Sequence, residues 1–216
     1  MELQTIDNQK NKTMKTTAFT LIAIAALAFG TVNLSKAATG NNTVVSTTLN
    51  NVSKISKIEV RGNVEVYVSD GTADQVKVYN RYYAEDAMVQ NQNGVLKISS
   101  YTNEKLVVWV TANDLRTISA YDNAEVKSFG KLAEIGLDVN LYNNASANLD
   151  LNGYSADVIL KDHAKANISG SISEFSLNYG TANSVNQSNL VAEHSTVTKN
   201  ADKAAHKTAD QELAGL

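Results

Sequence analysis

The sequence predicts an all-β protein built as a β-solenoid with coils of roughly 20 residues. The first observation is a repeat: Tyr-Asp-Asn-Ala at 121–124 returns as Tyr-Asn-Asn-Ala at 142–145 and Lys-Asp-His-Ala at 161–164, and more weakly at 179–182 and 198–201. The second is the alternation of apolar and polar residues between these repeats, which is typical of strands. The third is the absence of proline, which suits continuous β-ladders because proline cannot donate to one.

The spacing of the repeated alanines supports this fold. They stand at 124, 145, 164, 182 and 201, so the steps between them are 21, 19, 18 and 19 residues. Helical repeats need thirty residues or more to fit two helices per unit, so a period near twenty favours stacked β-coils. We expect each alanine to lie where a coil bends and space is shortest.

Composition limits the classes of function. The 216 residues carry a formal net charge of −3, from 19 basic and 22 acidic side chains, with no basic cluster that would indicate nucleic-acid binding. Cysteine is absent, which excludes disulfides, thiolate metal sites and a cysteine nucleophile.

Residues 1–37 have the layout of a secretory signal peptide behind a short polar extension. Met14-Lys15 offers a second start, an apolar run follows at 18–29, and Ser35-Lys36-Ala37 ends in a cleavage-site pattern. The run is shorter than the roughly 20 residues that span a bilayer, so we expect cleavage after Ala37 and no stable transmembrane segment afterwards. The alternative is an uncleaved anchor. The prediction is export to the periplasm or the cell surface.

The mature chain divides into a leader at 38–51, the solenoid at 52–202 and a tail at 203–216 that favours a capping helix or a frayed end. Residues 61–66 resemble residues 121–126 at an offset of 60, which predicts that they lie about three coils apart. We expect the rungs between them to carry Val76 and Val78, then Leu96 and Ile98, then the apolar residues of 106–110. Asp70-Gly71 and Asn93-Gly94 predict tight turns.

The residue before each repeated alanine predicts a column of hydrogen-bonding side chains at one corner of the solenoid. Stacked asparagines roughly 4.8 Å apart can bond to each other along the axis, which explains the excess of Asn by structure alone. The predicted corner ladder consists of Asn123, Asn144, His163, Thr181 and Asn200.

With these features in view, the chain resembles the bacterial family called putative auto-transporter adhesin, head GIN domain. The resemblance covers roughly residues 52–200 and rests on the opening pattern at 55–70, on residues 115–126 and on the Asn-Ala corners. Membership implies a right-handed, single-stranded β-helix at the cell envelope. It brings no catalytic residues, and the chain lacks the cysteine on which lipoproteins are lipidated.

The candidate binding residues stand three positions before the repeated alanines: Tyr121, Tyr142, Lys161 and Tyr179, with Thr198 after them. If the coils stack in register, these side chains form a strip that can stack on sugar rings or contact a protein. The alternative is a ladder in which the rings pack on each other and only stabilise the fold. Tyr82, Tyr83 and Tyr101 can extend the strip, whereas Trp109 lies in an apolar run and is expected in the core.

Metal binding and catalysis are weaker hypotheses. Asp122, Asn143 and Asp162 can offer stacked oxygens to calcium, but the nine-residue calcium repeat of other solenoids is missing. The three histidines lack metal-ligand spacing. Lys161, Asp162 and His163 form the nearest catalytic cluster, without the insertion that would build a cleft wall. The sequence predicts no cofactor and no metal.

The predicted function is therefore that of a non-enzymatic, exported envelope or surface module that binds a polysaccharide or an envelope protein through its tyrosine-lined face. A structural or self-assembling envelope protein is the alternative, and a carbohydrate-active enzyme stands third.

Overall fold

A computed structural model of the protein describes residues 46–49, 52, 54–79 and 87–200. The predicted signal peptide at 1–37, the predicted tail at 203–216, and Tyr82 and Tyr83 lie outside the described residues.

The described chain is all-β, as predicted, and its strands form one hydrogen-bonded sheet. The thirteen strands, in chain order, are β1 Ser46–Leu49, β2 Lys57–Gly62, β3 Val64–Asp70, β4 Gln75–Tyr79, β5 Ala87–Gln92, β6 Val95–Ser100, β7 Leu106–Ala112, β8 Thr117–Ala120, β9 Glu125–Leu132, β10 Gly136–Leu141, β11 Ser146–Leu160, β12 Lys165–Gly180 and β13 Ser184–Asn200. No helix within these ranges has the length and apolar character needed to cross a membrane.

Parallel strands form two stacks, which we call the first and second walls. The first wall consists, in hydrogen-bonded order, of β7, β3, β9 and residues 146–151, 165–170 and 184–190. The second wall consists of β6, β2, β8, β10 and residues 155–160, 174–180 and 194–200. The long strands β11, β12 and β13 therefore contribute their first halves to one wall and their second halves to the other.

Strand pairing in the C-terminal half has the predicted spacing. Ser146 pairs with Glu125, Lys165 pairs with Ser146, and Ser184 pairs with Lys165. Paired residues are thus separated in the sequence by one repeat of the corner motif. The corners therefore stack on each other from one strand to the next.

The N-terminal half departs from the predicted order. Residues 61–66 and 121–126 were expected three coils apart, but β2 pairs directly with β8 and β3 pairs directly with β9, with Lys57 opposite Thr117 and Glu65 opposite Glu125. Strands β6 and β7 lie on the other side of β2 and β3. The prediction was wrong because two segments that are far apart in the sequence become direct neighbours when the intervening chain pairs elsewhere.

Antiparallel strands lie at the outer edge of both walls. β4 pairs antiparallel with β7, β1 pairs antiparallel with β4, and β5 pairs antiparallel with β6. Val76 and Val78 therefore belong to an antiparallel strand between β1 and β7, and not to the parallel rung that the sequence suggested. Leu96 and Leu106 likewise belong to different walls, on strands β6 and β7, and not to successive rungs.

The predicted turn at Asn93-Gly94 joins β5 to β6 as a two-residue hairpin. Gln92 pairs with Val95, and Asn93 and Gly94 both have positive φ, at 52° and 82°. Positive φ at both central residues is the requirement of a type I′ turn, which Asn-Gly satisfies best.

The inward side chains of both walls form one buried apolar cluster. The repeated alanines Ala124, Ala145 and Ala164 are fully buried at their corners, as expected for positions where space is short. Ala182 is exposed, because Asn183 and not Ala182 takes the position next to Ala164 in the sheet register. The core holds both walls rigid, and their outward side chains present the candidate sites.

Candidate binding surfaces

The repeated corner is a tight turn that is fastened by side chains from the next unit. Ala124 donates its backbone N–H to the carbonyl of Tyr121, and the corners at 142–145 and 161–164 repeat this bond. Asp122, Asn143 and Asp162 all adopt the left-handed conformation, with φ between 57° and 60°. Asp and Asn tolerate this conformation better than other non-glycine residues, which explains their recurrence at this position.

The oxygens proposed as calcium ligands are used within these corners. Asp162 Oδ2 accepts the backbone N–H of Asn143 at 2.9 Å, Asn143 Oδ1 accepts that of Asp122 at 3.2 Å, and Asp122 Oδ2 accepts that of Gly62 at 3.2 Å. Each side chain thus bonds to the preceding corner in the stack. Among the described residues, no three His, Asp or Glu side chains converge in a way that could hold a metal ion.

The structure brings Tyr121 and Tyr142 together as a stacked pair. Their ring centroids are 4.8 Å apart and their planes are inclined by only 4°. The Arg61 guanidinium lies 3.8 Å from the centroid of Tyr121, and Lys161 Nζ lies 5.4 Å from that of Tyr142. Both ends of the pair are therefore covered by a cation, so these four side chains form a column that we call the tyrosine column.

Tyr179 lies outside the tyrosine column. The sheet register places Ile159 opposite Asn178, which aligns Tyr179 with Leu160 and Gly180 with Lys161. Tyr179 accordingly packs partly against the core, and Lys199 Nζ lies 5.7 Å from its ring. Thr198 pairs with Asn178. The weaker sequence repeats align Tyr179 with Lys161, whereas the strand register aligns Gly180 with Lys161, so the repeats are one residue out of register.

The predicted corner ladder is partly assembled. Asn144 Nδ2 donates to Asn123 Oδ1 at 3.5 Å, and His163 follows in the same column, where its backbone N–H donates to the carbonyl of Asn143. Asn200 instead donates to Asn178. Thr181 begins the turn after β12, where Asn183 Nδ2 bonds to the backbone carbonyls of the preceding corner, including that of Asp162 at 3.0 Å.

The proposed catalytic cluster, Lys161, Asp162 and His163, lies on the exposed corner between β11 and β12. Lys161 covers the ring of Tyr142, and the Asp162 carboxylate holds the neighbouring corner. Two of the three side chains thus have structural contacts, which explain their positions without a reaction.

An aromatic cluster that the sequence did not predict covers the outer surface of the first wall at its β4 end. Trp109 stacks on Tyr67 with centroids 4.9 Å apart, and it contacts Phe129 at 4.9 Å and Tyr79 at 6.5 Å. Trp109 was expected in the core, but Val108 and Val110 take the inward positions of β7 and are buried, so Trp109 points outward and is half-buried. We call Tyr67, Tyr79, Trp109 and Phe129 the aromatic cluster.

A β-bulge projects Phe129 into the aromatic cluster. Asn148 pairs with Lys127 and Asp150 pairs with Lys131, so β9 holds two more residues between these pairs than β11 does. Gly130 takes a φ of 82° within the bulge, and Ser128 Oγ accepts the backbone N–H of Asp150 at 2.8 Å. Phe129 is left 60% exposed. Bulges often redirect a side chain next to a functional site, and burial does not explain this one.

A chain of charges borders the aromatic cluster. Lys127 bonds to Glu65 and lies 3.2 Å from Glu125 Oε2, and Lys105 bonds to Glu125 at 2.6 Å. Burial raises the pKa of Glu65, but hydrogen bonds from Lys127 and from the Tyr67 hydroxyl outweigh it and keep that pKa below its usual value. The hydrogen bond from Lys105 likewise lowers the pKa of Glu125. These groups are therefore ionised and fixed in place at neutral pH.

Beyond these charged residues, the outer surface of the first wall carries amide side chains. Asn148, Asn167 and Asn186 occupy paired positions on β11, β12 and β13, and all three are exposed. Asn167 Nδ2 donates to Asn148 Oδ1 at 2.8 Å. A shallow groove of about 280 Å³ runs beside them, and its polar lining includes Lys127 and Lys165.

The sequence indicates the outward direction of two residues of the aromatic cluster. Tyr67 and Trp109 each stand between two buried valines, which identifies them as outward residues of their strands. Their contact depends on the pairing of β3 with β7, two strands that are well separated in the sequence. No sequence repeat indicates that these two strands pair.

The fold and these surfaces define a class of protein: an all-β module of stacked, mainly parallel strands whose candidate binding residues lie on the outer faces of the sheet. Residues 54–215 match the family model described as putative auto-transporter adhesin, head GIN domain. The chain belongs to this family, and the resemblance noted in the sequence is confirmed.

Solved structures share the fold. A putative adhesin from Bacteroides fragilis is 16% identical, with a TM-score of 0.63 over 74% of this chain and 78% of that one. A putative adhesin from Parabacteroides merdae is 11% identical, with a TM-score of 0.58 over 77% and 83%. A protein from Parabacteroides distasonis described as a putative lipid binding protein is 11% identical, with a TM-score of 0.58 over 71% and 77%. No curated protein matches the chain.

Proposed function

We propose that this protein is a non-enzymatic binding module of the bacterial cell envelope or cell surface. The observation that carries the proposal is the outer surface of the first wall, where an exposed aromatic side chain is projected by a bulge beside fixed charges and amides. Rigid strands hold these groups in place, as a recognition surface requires. The family's description as an adhesin head domain supports a binding role at the level of the family.

The proposal also includes the export of the protein and the right-handed solenoid fold of its C-terminal half. Residues 1–37 act as the signal peptide and direct the chain to the periplasm or the surface. The two walls, the repeated corners and the regular displacement of each strand from its partner support a right-handed, single-stranded solenoid for the C-terminal half.

The experiment for the proposed function combines location and binding. Protease treatment of intact and permeabilised cells that produce the protein distinguishes surface, periplasm and cytoplasm. Purified full-length protein is then tested for retention on polysaccharides and on envelope proteins separated on a membrane. A cytoplasmic location, or no retention on either class of ligand, overturns the proposed function. Sugar released during the retention assay would instead favour the enzymatic alternative and direct mutagenesis to Asp162 and His163.

The tyrosine column remains a candidate ligand-binding face, but its geometry supports a structural role more strongly. Tyr121 and Tyr142 face each other, and Arg61 and Lys161 lie at the two ends. Sugar rings stack on exposed ring faces, which this column no longer offers. The double variant Tyr121→Ala, Tyr142→Ala should therefore lose stability while it retains binding.

A second candidate function is self-assembly through the last strand. Among the described residues, β13 pairs with β12 alone, and Val191 and Val197 are 68% and 45% exposed along it. A long unpaired edge can accept a strand from another molecule. Sedimentation over a range of protein concentrations tests this function, and a strict monomer at high concentration rules it out.

A further inference from the structure

We propose that the outer surface of the first wall binds a linear polysaccharide that lies across the strands. This inference rests on the proposed binding function and names its ligand class and its residues. The surface differs from the tyrosine column, which lies at a corner of the stack.

Strand register places aromatic, charged and amide side chains in one continuous row. Each member pairs directly with the next, and the row runs from β4 to β13. In order, the members are Lys77, Trp109, Tyr67, Lys127, Asn148, Asn167 and Asn186. Neighbouring strands lie about 4.8 Å apart, so the seven positions extend over roughly 29 Å. That length matches an extended chain of several sugars better than a single small ligand.

The aromatic end of the row suits the apolar faces of pyranose rings. A pyranose ring directs C–H groups to its faces, and these groups pack on the electron-rich face of an aromatic ring. Phe129 is 60% exposed and its ring is inclined by 57° to that of Trp109, so it offers a surface that the stacked rings of Tyr67 and Trp109 do not. The bulge that projects Phe129 places this surface beside the row.

The rest of the row suits sugar hydroxyls. Amide side chains both donate and accept hydrogen bonds, and Asn148, Asn167 and Asn186 repeat this capacity at the spacing of the strands. A second row beside the first pairs Glu125 with Ser146 and Ser146 with Lys165, which adds hydroxyl and charged groups along the groove.

The mixture of groups favours a carbohydrate over other occupants. Protein interfaces have apolar centres depleted of charge, whereas here the ion pairs of Lys127 with Glu65 and Glu125 lie next to the aromatic cluster. A lipid chain needs an apolar cavity, but Lys127, Asn148 and Lys165 line this groove. Aromatic rings at one end of the row and amides along the rest of it match the C–H faces and the hydroxyl groups of a sugar chain.

The test uses the full-length chain and insoluble cellulose, chitin, xylan, mannan and peptidoglycan. Two variants address the two ends of the row: Phe129→Ala and Asn167→Ala. Each has a matched control. Tyr154→Ala removes an aromatic side chain that is 61% exposed but lies outside the row, and Asn144→Ala removes an exposed Asn that bonds to the Asn of the preceding unit, as Asn167 does.

We expect retention of the wild-type protein on at least one polysaccharide. Phe129→Ala and Asn167→Ala should each weaken retention about tenfold or more, the loss expected when a central contact of an interface is truncated. The control variants should bind as the wild type does, and all four should keep the thermal unfolding midpoint within a few degrees.

Two results would overturn the inference. If a polysaccharide is retained and both row variants bind it as the wild type does, the protein binds carbohydrate elsewhere, so the row fails while the proposed function survives. If none of the five polysaccharides is retained, the row fails as well, and retention on envelope proteins then decides the proposed function.

Discussion

A double-mutant cycle on the tyrosine column measures whether the stacked rings stabilise the fold. The variants are Tyr121→Ala, Tyr142→Ala and the double variant. The rings lie 4.8 Å apart and nearly parallel, a geometry that contributes about 0.5–1.5 kcal/mol beyond the area buried. We therefore expect a coupling free energy of about 1 kcal/mol between the two positions.

Each single substitution should cost more than the coupling alone. Tyr121→Ala also loses the contact with the Arg61 guanidinium at 3.8 Å, and a cation over an aromatic ring contributes about 0.5–1 kcal/mol at exposed sites. The free energy of unfolding should thus fall by about 1–2.5 kcal/mol in this variant.

Urea unfolding of the four proteins gives the coupling directly. Tyr121→Phe serves as the control, because it keeps the ring and should retain the coupling with Tyr142. Distant, independent sites add within about 0.3–0.5 kcal/mol. A coupling below that range would refute the structural role, and loss of ligand binding without loss of stability would return the tyrosine column to the status of a binding face.

Two further predictions concern stability. Burial raises the pKa of Glu134 to about 7. The protonated side chain therefore contributes to the free energy of unfolding below pH 4.5, and this contribution is lost as pH rises through 7. Between these two pH values the free energy of unfolding of the wild type should fall by about 1 kcal/mol relative to that of Glu134→Gln, after allowance for solvent screening. An equal dependence of the free energy of unfolding on pH in the two proteins would contradict this cause. Gly170→Ala should cost about 3 kcal/mol or more, because a Cβ there would lie 1.9 Å from the carbonyl oxygen of Leu151 at a φ of 109°. Gly130→Ala, with positive φ but no atom within 4 Å, should cost only about 1 kcal/mol in the same urea assay, and similar losses in both variants would contradict the steric argument.

The local chemistry of the corners made much of the C-terminal half predictable. Asp122, Asn143 and Asp162 recur because the turn needs a left-handed residue, and the alanine two positions later is fully buried at each of these corners. Each repeat therefore marks the register of the next strand. The signal weakens at Tyr179 because Asn183 closes that turn with its own side chain, and the alanine is no longer needed.

The N-terminal order was not predictable from local patterns. The alternation of apolar residues in β4 is the same whether the strand pairs parallel or antiparallel, since side chains alternate across the sheet in both cases. What distinguishes the two is the choice of partner, which depends on which edge remains open after β3 pairs with β7 and β9.

The aromatic cluster was missed for the same reason. The outward direction of Trp109 follows from the two buried valines that flank it, but its contact with Phe129 depends on a bulge two strands away. Short-range patterns indicate which face a residue occupies, whereas the pairing of segments that are distant in the sequence determines its neighbours.

The fluorescence of Trp109 offers the most direct measurement of the central claim, because Trp109 is the only tryptophan in the chain and lies in the proposed binding row. Soluble hexasaccharides of the retained polysaccharide are titrated into the full-length protein. The predicted result is a saturable change in the emission of Trp109 that needs about tenfold or more hexasaccharide in Phe129→Ala and is unchanged in Tyr154→Ala. Binding of the same hexasaccharide, detected by calorimetry, without any change in that emission would contradict the account.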